Sequence, residues 1–345
     1  MKRPAWVPRA FSSEAGTGSR EENAIKQKPR VFSRFEETRK CSRAGRSGSL
    51  PGLATKIALV DVLRSACVSL RLIFGALVLV AAASLSAAAE TGRADLVNRE
   101  VLRVCSDPAN LPFSNEARQG FENKIAELVA DELKIPLEYT WFPQATGFVR
   151  QTLFAKRCDL IIGYAQGDDL VLNSNHYYRS SYVLLFRPGQ GLDGVKMLAD
   201  ERLKGKRIGI VAGTPPGNIM AMLGLMEKAK PYPLTVDRRY DSPAELMIAD
   251  IRSGEIDAGI LWGPIGGYFA RRGGEALTVT PLLKETIGPR MAYRITFGVR
   301  NQEDGWKHTL NEIIAKRQGD IDAILLDFGV PLLDEETVPI TLPRR

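Results

Sequence analysis

The sequence predicts an α/β protein of two lobes, each a mainly parallel sheet flanked by helices, joined by two β crossovers. Three observations carry this. Residues 101–164 run strand, helix, strand, helix, strand. Residues 196–289 repeat that plan without repeating the sequence. Two long β-prone stretches, 177–187 and 291–300, stand where the chain must pass between the two units. Strands that alternate with helices give parallel sheets covered on both faces.

Each element has its reason. VLRVCS (101–106) is a short apolar run and reads as a buried strand. Residues 119–134 place Phe121, Ile125, Leu128, Val129 and Leu133 on one helical face. LEYTWF (137–142) alternates as a strand, 145–157 reads as a second helix with Phe148, Leu153 and Phe154, and CDLIIGY (158–164) as a strand buried on both faces. In the second unit, LKGKRIGIVAGTPPG is a strand, a Gly-rich turn and a helix start; TVDRRY (235–240) reads as a strand. Residues 242–253 form a helix with Ser242 as N-cap and Pro243 in its first position. EIDAGILWG is the next buried strand, and the tail from Gln302 to Phe328 is helical with a loop near Gly319. The first lobe is expected over 90–187 plus 291–345 and the second over 188–290.

Ahead of the lobes, LIFGALVLVAAASL (72–85) follows Arg64 and Arg71 and precedes Ala87, Ala88 and Ala89. A basic flank, a short apolar core and an A-x-A end describe a signal peptide, expected over 61–89 and directing the protein to the periplasm; a retained N-terminal anchor is the alternative. Residues 1–60 are polar, basic and without periodicity, and read as a disordered extension or as sequence ahead of a misplaced start. The next Met is Met197, so a start near Val60 to Val68 would need a non-AUG codon. The formal charge of +7 belongs to this front end: residues 1–89 hold 15 Lys/Arg against 6 Asp/Glu, and the rest 32 against 34. It therefore carries no nucleic-acid inference. Of the four Cys, Cys41 and Cys67 precede the cleavage site. Cys105 and Cys158 end neighbouring strands and are either bridged or two buried thiols.

Between the first strand and helix lies SDPANLPFSNEARQG. Asp107 and Asn110 can hold a turn by bonding nearby backbone N–H groups, and Pro108 and Pro112 stiffen it. A rigid loop at a strand end suits a binding edge, and a purely structural turn explains it almost as well. Ligands in open α/β sheets sit beyond the carboxyl ends of strands. That rule nominates Asp107, Asn110, Phe113, Trp141, Phe142, Gln144, Tyr164, Tyr177, Tyr178, Thr214, Trp262 and Tyr268 for a ligand or partner cleft, with Arg150 and Arg179 as candidates for anion or partner contacts. The competing reading packs these aromatics under loops and these arginines against surface carboxylates.

"CSDPANLPFSNE", "GFENKIAE", "YTWFPQ", "GFVRQTL", "RCDLIIG", "YYRSSYV" and "WGPIGGYFA" occur in one order over residues 98–335. Together they resemble the extracellular solute-binding proteins associated with quinoprotein dehydrogenases, the MoxJ/XoxJ-like, J-type components of methanol oxidation, within the type II periplasmic solute-binding superfamily (bacterial family 3). The resemblance implies an accessory or maturation protein. Its partner would be a pyrroloquinoline-quinone (PQQ) alcohol dehydrogenase, with that enzyme's c-type cytochrome as a second. No catalysis, cofactor or metal of its own is implied.

The amino-acid receptors of that superfamily grip a substrate carboxylate with an Arg after the third strand and its ammonium with an Asp in the second lobe. Here no Arg stands between Gly163 and Tyr178; Asp168, Asp169 and Leu170 do, and Trp262, Gly263 and Pro264 follow the second-lobe strand. Both halves of the clamp are missing, which argues against α-amino acids. An uptake receptor for another small polar or aromatic solute, feeding an ABC transporter, is the alternative function. A lyase or dehydratase using Glu122 or Asp107 is a second. With only His176 and His308, a His-based metal site or triad has little material, and H-E-x-x-H, G-x-S-x-G, C-x-x-C-H and the P-loop pattern are absent. Asp168 and Asp169 are far short of the six to eight oxygens a calcium ion takes.

Overall fold

The structure, a computed structural model, describes residues 96–344. The expected extension and signal peptide lie outside them. The strands are β1 (Leu102–Ser106), β2 (Ala109–Asn110), β3 (Ser114–Asn115), β4 (Leu137–Trp141), β5 (Leu160–Ala165), β6 (Leu172–Phe186), β7 (Ile208–Val211), β8 (Lys230–Tyr232), β9 (Ala258–Trp262), β10 (Thr278–Pro281), β11 (Ala292–Val299), β12 (Leu332–Leu333) and β13 (Pro339–Ile340). The helices are α1 (Phe121–Leu133), α2 (Phe148–Gln151), α3 (Pro215–Met222), α4 (Pro243–Ser253), α5 (Gly263–Ala270) and α6 (Asp304–Asp327). Among the described residues, no helix is long and apolar enough to cross a membrane.

The main sheet runs β4-β1-β5-β11-β6-β9-β7-β8, with β10 also on β6. β1 pairs in parallel with β4 and β5, and β7 in parallel with β8 and β9. Between these two parallel groups lies β6, whose fifteen residues belong to both. Its first part pairs antiparallel with β11, from Leu172 opposite Val299 to Ser181 opposite Ala292. Its last five residues pair with β9, Tyr182 opposite Trp262 to Phe186 opposite Ala258. A single strand shared by two parallel groups is what gives the molecule two lobes on one backbone.

Alternation explains the packing. Leu160 and Ile162 face α1 and α6, joining Phe121, Ile125, Leu310 and Leu325; Ile161 faces the other way, toward Phe148, Leu153 and the two cysteines. In the second lobe Leu184 and Phe186 pack with Ile208, Ile219 and Ile260, while Val183 and Leu185 pack with Met247, Ile251 and Leu261. Each such buried side chain stabilises the fold by roughly 1.5–3 kcal/mol relative to leaving it exposed.

Four elements differ from the sequence reading. The helix expected over 145–157 is one turn, α2, followed by turns; Gly147 at φ +94° and Lys156 at φ +58° bound it, yet Phe148, Val149 and Leu153 are still buried. TVDRRY is a loop, not a strand: the Asp237 carboxylate takes the backbone N–H of Arg239, and the Asp237 carbonyl takes those of Tyr240 and Asp241. The strand there is the earlier β8, an edge position where Pro231 costs no ladder bond that matters. The tail helix runs through Gly319 and departs from helical geometry at Arg317 instead. α5 follows Trp262 directly, where no helix is expected. It lies so close to the tail that a Cβ at Gly267 would stand 2.0 Å from the Gly329 carbonyl oxygen, so only glycine fits.

Cys105 and Cys158 form a disulfide with Cα atoms 5.5 Å apart. Beside it, Asp159 is 1% exposed and joins three elements. It accepts from Arg103 Nε and Nη2 at 2.7 Å each and from Arg300 Nη2 at 2.5 Å, while its carbonyl accepts from Trp306 Nε1 at 3.0 Å. Arg300 also donates to the Leu153 and Cys158 carbonyls.

Candidate functional site

The loop after β1 is built from the helix it precedes. Two backbone N–H groups of the first turn of α1, which have no partner inside the helix, go to this loop: Phe121 donates to the Pro112 carbonyl and Glu122 to that of Phe113, both at 2.9 Å. Asn123 Oδ1 takes the N–H groups of Asn115 and Gly120, each at 3.1 Å. A Cβ at Gly120 would stand 2.0 Å from the Phe113 carbonyl oxygen, so the helix can start this close to the loop only with glycine. The small β2–β3 hairpin completes the brace.

Asp107 is the hub. It is 5% exposed, and its carboxylate accepts from Ala109 N at 2.9 Å and from Gln144 N at 2.7 Å. The Asn110 amide donates to Gln144 Oε1 at 3.1 Å. From the other lobe, Arg238 reaches Asp107 at 3.4 Å. Asp107, Asn110, Gln144 and Arg238 thus form one polar edge that both lobes share. A groove of about 390 Å³ runs beside it, lined by Pro108, Asn110, Leu111, Leu234, Arg238 and Phe269 among others. Leu234 in its lining is 54% exposed, and Tyr240, 80% exposed, lines the adjoining pocket that shares Leu111 and Phe269 with it.

Behind the hub lies Glu122, 5% exposed, its carboxylate packed so tightly against β5 that a Cβ at Gly163 would stand 1.9 Å from it. Burial first, and the Asp107 charge second, push this carboxyl well above the usual carboxylate range. The sign follows. In acid both folded and unfolded chains hold the proton, so the group contributes fully below the unfolded value, about pH 4.3. As pH rises, the unfolded chain ionises while the fold does not, and stability falls until the folded carboxyl also ionises. Glu122→Gln is therefore expected to match the wild type near pH 4 and to gain on it as pH rises, by about 1.4 kcal/mol for each pH unit over which the unfolded chain is ionised and the folded carboxyl is not. Urea melts at pH 4 and pH 8 check this; a difference that does not change with pH would contradict it.

The structure brings together only part of the nominated cleft. Asp107, Asn110 and Gln144 meet. Phe113 packs on Phe121 with ring centroids 5.2 Å apart, and Phe142 tilts against Phe148 beside the disulfide. Trp141 stacks on Tyr139 at 4.5 Å, and Arg118 lies over the Tyr139 ring. Tyr177 and Tyr178 are 0% and 1% exposed in the first-lobe core and face no cleft. The register of β6 against β11 slips there, Ile295 opposing Tyr178 and Thr296 opposing His176. This bulge breaks the alternation and turns both rings inward. Tyr164 donates to Asp168 at 2.8 Å, and Asp168 also takes the Leu170 N–H, so the acidic turn after β5 is satisfied within itself. Thr214 precedes α3, its hydroxyl bonded to the Val211 carbonyl. Trp262 packs edge-on to Tyr182 and Tyr293. Tyr268 stacks on Phe328 and under Arg272. Arg150 is exposed, and Arg179 lies in a different pocket from the groove. Arg238 was not nominated: it stands in a stretch that reads as a strand, and nothing local marks a contact 131 residues away. Among the described residues, no cluster of three or more His, Cys, Asp or Glu could hold a metal ion.

Two lobes sharing a central strand, with a groove beside their common polar edge, define a periplasmic binding protein of the type II class. Sequence and structure comparisons place it further. The chain is 31% identical over 264 residues to the protein MoxJ of Methylorubrum extorquens, covering 72% of this chain and 86% of that one. It is 28% identical over 267 residues to MoxJ of Paracoccus denitrificans, covering 73% and 95%. The crystal structure of the periplasmic binding protein XoxJ from Methylobacterium extorquens AM1 matches with a TM-score of 0.59 and 46% identity, over 68% of this chain and all of that one. The chain belongs to the MoxJ family. No family model matches it.

Proposed function

We propose that this protein is a periplasmic accessory factor that binds, and supports the assembly or activity of, a PQQ-dependent alcohol dehydrogenase of methanol oxidation. Kinship with MoxJ and XoxJ supports the setting. The observation that carries the mode of action is the self-satisfied acidic turn, Tyr164–Asp168–Leu170, at the position where the amino-acid receptors place a carboxylate-gripping Arg. That turn offers no grip for a substrate carboxylate, so the groove is read as a docking edge, with exposed Leu234 in its lining and exposed Tyr240 on the adjoining pocket. The protein works by binding alone, and the lyase reading finds Glu122 sealed behind Gly163. The uptake receptor remains the competing function, because a groove of about 390 Å³ is of small-ligand size.

A pull-down from periplasmic extract separates the two. Recovery of a quinoprotein dehydrogenase, weakened at least tenfold by Leu234→Glu or Tyr240→Ala, is the expected result. These side chains are exposed, so neither variant disturbs the core. A co-purified small molecule with no dehydrogenase would replace this reading with the receptor.

A further inference from the structure

The geometry points to a second binding site, for a carboxylate, in the pocket between β6, β11 and the 282–291 loop, gripped by Arg179, Arg290 and Arg294. The pocket has a volume of about 510 Å³ and is lined by these three arginines, with Gln166, Thr286 and Thr337 among its polar groups. It shares no lining residue with the groove described above.

The charge arrangement there is unbalanced. Arg179 and Arg294 are direct Cα partners across the antiparallel β6–β11 pair, so both point from the same face. Like charges placed directly opposite destabilise a sheet unless something compensates them. Among the described residues the carboxylate that pairs with one of them is Glu335, on Arg294, and it lies 2.7 Å from His176 Nε2. Among the described residues, Arg179 donates to the backbone carbonyls of Asp334 and Glu335, at 3.1 and 2.8 Å, and pairs with no carboxylate. Arg290 has no carboxylate partner among the described residues. Glu285, the acid in the lining, accepts from the Leu198 N–H through Oε1.

The loop that carries Arg290 is also fixed. Leu282 N bonds the Tyr182 carbonyl, Tyr182 N bonds that of Met291, and Lys284 N bonds that of Lys196. Gly288, at φ +77°, packs against Ile219 and Met222, where a side chain would collide. An arginine on a pinned loop and a second on a strand, lining one pocket, offer paired donors for a planar, two-oxygen ligand. Glu335, outside the pocket lining, shows that a carboxylate pairs with Arg294. Leu282 and Met291 belong to the second-lobe core, and Arg179 and Arg294 to the paired strands of the first, so a carboxylate here ties the two together.

The carboxylate has two possible sources, a free small acid or an acidic side chain of a protein partner. Calorimetry on the purified protein, at constant ionic strength balanced with chloride, uses succinate and an end-capped tetra-aspartate peptide as probes. Binding of at least one is expected, weakened tenfold or more by Arg290→Gln and by Arg179→Gln. Tighter binding of the peptide assigns the site to a partner's acidic segment, and tighter binding of succinate to a free acid. No binding of either probe, binding indifferent to both substitutions, or binding of inorganic phosphate alone would overturn the assignment. The test needs no dehydrogenase, so its failure is separate from failure of the accessory reading.

Discussion

Asp159→Ala is expected to destabilise the protein by ~3–5 kcal/mol, the cost of breaking a buried ion pair by removing one partner. The substitution leaves Arg300, 7% exposed, with Glu303 as its remaining carboxylate, and frees Arg103 as well. The loss falls where β1, β5, the end of β11 and the start of α6 meet, so it loosens the whole first lobe rather than one loop. Asp159→Leu combined with Arg300→Met and Glu303→Gln should recover part of it, because removing the buried charges together abolishes the desolvation cost that removing one exposes. Urea unfolding of the three proteins measures this. A single-variant loss under ~1 kcal/mol, the size of a surface pair, would contradict the assignment.

The second large effect is the disulfide. Cys105→Ala with Cys158→Ala is expected to cost ~3–4 kcal/mol, since the bridge closes a loop of 53 residues in the unfolded chain. Both positions are buried, 2% and 0% exposed, and alanine leaves only a small void in their apolar cluster. Reductant should lower wild-type stability by the same amount and leave the double variant unmoved. Indifference of the wild type to reductant would show two thiols instead. A bridge of this kind suits a protein that folds in an oxidising compartment.

Much of the fold was legible because it rests on periodicity. Phe121, Ile125, Leu128 and Val129 announce α1, and Ser242–Pro243 marks the start of α4, where the Ser242 hydroxyl accepts from Glu245 N at 3.2 Å. The misreadings share a cause: short segments whose state is decided by neighbours remote in sequence. α5 exists because Gly263 and Gly267 let it wedge against β6 and the tail. Thr235 and Val236 look like strand, yet Asp237 pulls the following residues into a turn. Tyr177 and Tyr178 follow the strand-end rule on paper, and a bulge opposite Thr296, invisible in one sequence, sends both inward. The carbonyl of Tyr177 at that bulge is then taken up by Gln318 at 2.9 Å and by Arg344.

The site divides the same way. Asp107, Asn110 and Gln144 follow the ends of neighbouring strands β1 and β4, which is why strand-end logic nominates them. Arg238 crosses from the other lobe, and Arg179 meets Arg294 only through β6–β11 register. Contacts set by the meeting of lobes or by strand register leave no local trace.

The central claim is that this binding fold serves a dehydrogenase rather than a solute. Its most direct test is sedimentation velocity of the purified protein mixed with a purified PQQ alcohol dehydrogenase of methanol oxidation. A faster-moving complex at micromolar concentration, lost with Leu234→Glu, is the predicted result. Independent sedimentation of the two proteins across that range would contradict the claim.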